Sequence, residues 1–321
     1  MLDWTSADRR TLLWRIQNHN YAAIAIGLLA LALRVVYLQE MERHPFFEVL
    51  VAAEKGYWAA ADGAEWAVEV PLYAVWLRVL ASVDMSPRMA QAFLGALSCI
   101  LLSLIGRSVA TPAIGNIAAL ALALYGPAIY FAGVLLPPIL AGTSALALLW
   151  ALLWAEQSEN RWCFVWPGAL MGLTFHLAPY VVLFTPVVLW WLWRNGSRAE
   201  CLAFAAGAVC VTAPSLFVPA IGFERFFAFD LIYGMAHGRE YTAALDMYET
   251  RDVSSVLAIL VWEWGIAFPF GLLLPLALLG LALAGGEVRG RGVVLYYLVS
   301  IAFGVLLHMG GTSEMRFVLV P

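Results

Sequence analysis

Residues 21–38, YAAIAIGLLALALRVVYL, form an apolar run interrupted only by Arg34, and this run decides the class of the fold. A helix needs about 20 such residues to cross a bilayer. Inside lipid, backbone groups find partners only within helices or closed barrels. The run is too long and too rich in Leu and Ala for alternating barrel strands. Further runs that predict membrane helices lie at 89–106, 113–131, 138–154, 162–176, 179–193, 201–219, 256–283 and 293–308.

The composition agrees with a membrane protein. Hydrophobic residues make up 63% of the chain and charged residues 12%, against roughly 45–50% and about 25% in soluble domains. We therefore predict an all-α polytopic protein with about nine or ten crossings and a single transmembrane domain over 1–321. A further crossing begins at Phe317 and stops at Pro321, so we expect a truncated chain. The short pair 162–176 and 179–193 leaves a re-entrant hairpin as an alternative.

The basic residues predict the orientation of the chain. Cytoplasmic loops of membrane proteins carry an excess of Lys and Arg. A cytoplasmic N-terminus, residues 1–20, leaves two long loops, 39–88 and 220–255, on the external side. It also places one group of arginines inside the cell: Arg9, Arg10, Arg15, Arg107, Arg161, Arg194, Arg198, Arg289 and Arg291.

The first external loop, 39–88, holds the strongest candidate for chemistry. Helical spacing of its apolar residues predicts interfacial helices over 46–60 and 71–83. Glu54 falls on the apolar face of the first of these helices, whereas Lys55 points elsewhere. A carboxylate in that position is costly unless it is paired or faces a polar cavity. Glu54 is thus either a general base at the membrane surface or a carboxylate that pairs with Arg43 or reaches water.

Three further polar residues occupy costly positions. Arg34 lies near the outer end of the first run, where it can extend to the interface, and His176 and Arg316 lie on the same external side as Glu54. A carboxylate, a histidine and an arginine that converge on one membrane face would suit a lipid phosphate. The alternative for each residue alone is a structural role. The second external loop, 220–255, contains both aromatic and charged residues. This mixture suits either the binding of an amphiphilic ligand or an aromatic belt at the membrane interface.

Several classes of site are not indicated. The four cysteines, Cys99, Cys163, Cys201 and Cys210, form no CxxC pair and predict no metal site or disulfide framework. No glycine-rich phosphate loop occurs, and no basic, aromatic-rich patch indicates nucleic-acid binding. The sequence names no cofactor and leaves a divalent metal open.

The order of these features resembles bacterial glycosyltransferase family 39, of the GT-C superfamily, which includes protein O-mannosyltransferases and the lipid A aminoarabinose transferase. The similarity lies in residues 33–81, 87–110, 123–136, 168–192 and 315–321. Its motif-like parts are HPFF at 44–47, PLY at 71–73 and Arg316. The resemblance implies a bacterial inner-membrane enzyme. Such an enzyme moves a sugar from a polyprenyl-phosphate donor to a lipid, glycan or protein acceptor at the periplasmic face.

The resemblance also implies roles for residues. Glu54 would be the acidic residue of the first loop that acts as base or orients the acceptor, with Tyr57, Tyr73, His176 and Arg316 binding substrate. The chain departs from the family at three positions. Ala53 stands where the family has Asp, Pro137 stands where many members have Lys, and His176 lies near an expected Arg.

Two alternatives to a transferase remain. The departures favour a catalytically degenerate or truncated scaffold. A transporter or lipid flippase is less favoured, because ionisable residues in mid-membrane are nearly absent and neither half of the chain repeats the other.

Overall fold

A computed structural model describes residues 6–43, 52–62, 70–109, 111–177, 184–195 and 197–217. The predicted crossings at 256–283 and 293–308, the run from Phe317 and the second external loop lie outside these residues. Within the described part the regular structure is helical. The helices are α1 (Ser6–Glu42), α2 (Ala52–Ala61), α3 (Pro71–Ser82), α4 (Pro87–Val109), α5 (Pro112–Ala123), α6 (Gly126–Gly133), α7 (Pro138–Glu156), α8 (Val165–Leu177), α9 (Phe184–Asn195) and α10 (Arg198–Phe217), with a 3₁₀ turn at Arg161–Phe164 before α8.

Three of the described helices are long and apolar enough to cross a membrane: Tyr21–Glu42 within α1, together with α4 and α7. The bent pair α5 and α6 makes a fourth crossing if it is counted as one span. These helices correspond to the predicted runs at 21–38, 89–106, 113–131 and 138–154. The chain is therefore a helical membrane protein, with three or four candidate crossings in its described part.

The third predicted run, 113–131, is not one straight helix. Its axis bends by 51° between Ala123 and Gly126. Pro127 explains this break, because its ring has no N–H to donate and collides with the carbonyl four residues earlier. The sequence therefore contained a signal that the prediction of a continuous crossing overlooked.

Helices α8 and α9 are too short to cross a bilayer as straight spans. They have 13 and 12 residues, which at 1.5 Å per residue gives about 20 Å and about 18 Å, against a hydrocarbon core of about 30 Å. Residues 178–183 between them lie outside the described part. The predicted choice between two crossings and a re-entrant hairpin therefore stays open.

Small residues allow α8 and α10 to pack closely. A Cβ at Gly168 would overlap the Phe204 carbonyl, and one at Gly207 would overlap the Val165 carbonyl. The same device joins α4 and α5, where Gly106 and Gly115 face each other. Small residues at helix interfaces bring backbones together where lipid supplies no hydrophobic driving force.

The predicted helices of the first external loop are α2 and α3. Helix α3 agrees with the predicted 71–83. Helix α2 agrees with the later part of the predicted 46–60, and residues 46–51 lie outside the described part. Both contribute to a core shared with α7, α8, α9 and α10, in which Tyr73 and Leu77 are fully buried. These helices therefore bury their apolar faces against other helices of the protein.

Arg34 corrects one expectation. The sequence suggested that its side chain extends outward to the interface, but the guanidinium points back along α1 and Nη1 donates to the Ala30 carbonyl at 3.0 Å. Ala30 lies about 14 Å from the Tyr21 end of the span and about 18 Å from the Glu42 end. An ionisable group therefore occupies mid-span, where arginine costs roughly 2.5–3.5 kcal/mol on insertion scales.

The N-terminal segment joins the first crossing in one helix. Residues 1–20 were predicted as a charged cytoplasmic N-terminus, and their location stays a prediction. The backbone is helical from Ser6 and continues without interruption into the crossing.

Candidate functional site

Glu54 lies in a buried position on α2. Its side chain is 3% exposed, and its Oε1 accepts a hydrogen bond of 2.7 Å from the backbone N–H of Leu135. Arg43 pairs with Glu40 at 3.1 Å. The predicted burial of Glu54 on the apolar face of its helix is confirmed. The carboxylate neither pairs with Arg43 nor extends to water, which were the two structural alternatives.

The partner of Glu54 belongs to a buried turn over residues 134–136, between α6 and α7. Backbone groups in such a turn lack helical partners and must be satisfied by other means. The Gln91 side chain of α4 supplies two hydrogen bonds, because Nε2 donates to the carbonyls of Val134 and Leu136, both at 3.1 Å. Glu54 and Gln91 therefore hold the turn from two sides.

Gln91 was missed by reasoning from the sequence. It is 0% exposed, and its Oε1 has no hydrogen-bond partner in the described part of the chain. The signal was present, since an amide near the start of an otherwise apolar helix is costly to bury without partners.

Tyr57 and Tyr73 form the second part of the site. Their ring centroids are 5.1 Å apart at 84°, an edge-to-face arrangement that aromatic pairs favour. Tyr73 also stacks on Trp76, with centroids 5.3 Å apart. The Tyr73 ring is fully buried, and its hydroxyl has no hydrogen-bond partner among the described residues. The structure thus brings together three of the five predicted site residues: Glu54, Tyr57 and Tyr73.

Arg88 is a cation close enough to Tyr73 to affect the pKa of its phenol. Burial, followed by the neighbouring Tyr57 and Glu54, raises the pKa of the Tyr73 phenol well above its usual value of 10.0, and Arg88 acts in the opposite direction. Arg88 lies at the start of α4, one turn before Gln91. From the sequence we predicted His176 and Arg316 as the basic residues of the site, and Arg88 only marked the end of the first external loop.

His176 lies in a different environment, the seam between α8 and α10. Its ring Nε2 is 3.2 Å from the Val211 carbonyl, and the ring meets Phe175 edge to face at 5.7 Å. Arg316 lies outside the described residues. The predicted convergence of Glu54, His176 and Arg316 therefore stays a prediction.

Residues suited to metal ligation do not cluster in the described part of the chain. No group of three or more His, Cys, Asp or Glu side chains there could hold a metal ion. The cysteines Cys99, Cys163, Cys201 and Cys210 are free thiols. The chemistry available at the site is that of a carboxylate, phenols, an amide and a guanidinium.

Comparisons with protein families, curated proteins and solved structures give no match for this chain.

Proposed function

We propose that the chain is a GT-C-type glycosyltransferase of the bacterial inner membrane, with its N-terminus in the cytoplasm. It would transfer a sugar from a polyprenyl-phosphate donor to a lipid, glycan or protein acceptor at the periplasmic face. The single observation that carries the proposal is a carboxylate, Glu54, that is 3% exposed and fixed by a backbone N–H beside two buried tyrosines.

Glu54 would act as the general base. An acceptor hydroxyl that attacks the anomeric carbon must lose a proton, and a carboxylate within hydrogen-bond reach can take it. Anchoring Oε1 to the turn at Leu135 limits rotation of the carboxylate, so the group keeps one orientation toward the acceptor. The proton leaves the acceptor for Glu54, while the bond between the anomeric carbon and the phosphate oxygen breaks.

Arg88 and Tyr73 would serve the leaving group and the sugar. The charge that grows on the departing phosphate favours a guanidinium nearby. The Tyr73 hydroxyl is buried and lacks a partner among the described residues, so a sugar hydroxyl would supply the missing hydrogen bond. His176 and Arg316 are further candidates for substrate binding in this proposal.

Two of the three positions that depart from the resembled family lie close to this site, whereas the third, His176, lies between α8 and α10. Ala53 precedes Glu54 on α2, and Pro137 follows the turn whose Leu135 N–H meets the carboxylate. This proximity supports the assignment of the first loop. It also supports the alternative of a degenerate scaffold, in which Glu54 only satisfies a buried backbone N–H.

Transfer activity separates these alternatives. The chain in lipid vesicles is given undecaprenyl-phosphate mannose or glucose with membrane extract as acceptor, and release of undecaprenyl phosphate is measured. We expect Glu54→Gln to lower the rate by about 100-fold or more while the protein stays folded. Glu40→Gln, at an exposed carboxylate of the same chain, is the matched control. Transfer at the wild-type rate in Glu54→Gln would remove Glu54 from the mechanism.

Transport is a second candidate, which one observation favours. The guanidinium of Arg34 lies near the middle of the candidate crossing Tyr21–Glu42 within α1, which weakens the objection that ionisable residues are nearly absent in mid-membrane. Vesicles that accumulate an anion or exchange a labelled lipid between leaflets, without releasing undecaprenyl phosphate, would favour a transporter or flippase.

A further inference from the structure

Arg34 has no role in the proposed reaction, yet it buries a cation inside a candidate membrane crossing. The side chain is 1% exposed. Its Nη1 bonds to the Ala30 carbonyl, and its Nε is buried without a hydrogen-bond partner in the described part. A guanidinium carries five N–H donors, so the described residues leave most of its bonding capacity unused. No carboxylate of the described residues forms an ion pair with it.

The fold keeps space for this side chain at Gly95. A Cβ on Gly95 would overlap Nε of Arg34 and crowd its Cδ and Cζ. The buried thiol of Cys99, one turn further along α4, donates to the Gly95 carbonyl at 3.3 Å. The residues buried between α1 and α4 near Arg34 are otherwise apolar, among them Ala30 and Ala96. They add no acceptor for the guanidinium.

Packing alone does not account for an arginine in this position. An apolar side chain of similar length would fill the seam between α1 and α4 without burying a charge. Ionisable residues inside membrane spans are usually paired or functional. The planar fork of a guanidinium matches the paired oxygens of phosphate and carboxylate groups.

We propose that Arg34 is an oxyanion-binding residue, which takes a phosphate group into the seam between α1 and α4 at the guanidinium donors that have no partner among the described residues. The phosphate belongs either to a lipid or to a free anion. This site is independent of the transferase proposal, since it uses none of the residues assigned to that reaction. The bound anion supplies the charge and the acceptors that the described residues do not.

The test measures thermal unfolding of the full chain in nanodiscs, followed by tryptophan fluorescence. Without a probe, Arg34→Met should unfold at a temperature equal to or higher than wild type, because an unpaired buried charge has been removed. With a probe, wild type should gain at least about 3 °C and Arg34→Met should gain nothing. Inorganic phosphate in phosphatidylcholine discs tests a free anion, and phosphatidylglycerol discs without phosphate test a lipid phosphate.

Two further variants keep the outcome decisive. Arg34→Lys retains the charge but not the fork, so its gain should be less than half that of wild type. Arg78→Met, at an exposed arginine of α3, controls for loss of a positive charge and should respond as wild type does. The proposal is overturned if neither probe stabilises wild type, if Arg34→Met keeps the gain, or if Arg34→Met unfolds earlier than wild type or fails to fold. The last result would make Arg34 a structural residue.

Discussion

Replacing Glu54 by Leu or by Gln isolates the hydrogen bond that holds the candidate site together. Both substitutions remove the charge, and both side chains are close in size to glutamate. Only glutamine keeps an oxygen that can accept from the Leu135 N–H, which lies 2.7 Å from Oε1 in the wild type. The loss of charge is therefore common to the two variants, and the loss of the acceptor for Leu135 occurs only in the leucine variant.

The magnitude follows from burial. Leu135 is 5% exposed, so its N–H cannot turn to water when the acceptor is lost. A buried donor without a partner costs about 1–3 kcal/mol. We expect Glu54→Leu to be less stable than Glu54→Gln by that amount, whatever the removal of the charge contributes to both.

Unfolding in mixed micelles with a rising fraction of denaturing detergent, followed by tryptophan fluorescence, measures this difference. The control is the same pair of substitutions at Glu40, where the exposed carboxylate pairs with Arg43 and the difference should stay below about 0.5 kcal/mol. Gln91→Leu combined with Glu54→Leu should be non-additive by at least about 0.5 kcal/mol, since both residues hold the same turn. Equal stability of the Leu and Gln variants at position 54 would refute the reasoning.

Two other predictions concern packing and pH. Gly207→Ala should lower the free energy of unfolding by about 2 kcal/mol or more, because the added Cβ would overlap the Val165 carbonyl. In Gly126→Ala the added Cβ meets no atom within 4 Å, so this variant should be neutral or stabilised by about 0.5–1 kcal/mol. Similar losses of stability in the two variants would contradict the close packing of α8 on α10. The Tyr73 phenol, whose pKa is raised well above 10.0, keeps its proton when the unfolded chain releases one, so stability should fall as pH rises beyond about 10. Tyr73→Phe should show a flatter alkaline decline in equilibrium unfolding, and an unchanged slope would contradict the assigned burial.

Local patterns in the sequence were sufficient for much of the helix framework. The apolar runs predicted α1, α4 and α7 because the length of a crossing is set by the bilayer. The spacing of apolar residues around Glu54 predicted its burial, since residues three and four apart share one face of a helix. Pro127 also indicated a break in the helix, which the prediction of a straight crossing at 113–131 overlooked.

The contacts of the site could not be predicted from local patterns in the sequence. Leu135 is 81 positions from Glu54, and Gln91 is 43 and 45 positions from the carbonyls it holds. No local pattern specifies which of several buried backbone groups a polar side chain will meet. The direction of Arg34 was likewise undetermined, because an arginine near the end of a run can reach outward to water or back along its helix.

Sequence by itself determined that this chain enters a membrane as helices and that Glu54 lies on the inner face of one of them. These properties depend on composition and on the helical period, both of which act over a few residues. Tertiary structure alone decided that Glu54 meets the turn at Leu135, that Gln91 holds that turn and that Arg34 faces Gly95 at mid-span. Such pairings depend on how separate helices pack, because a buried polar group takes the partner that packing brings within hydrogen-bond distance.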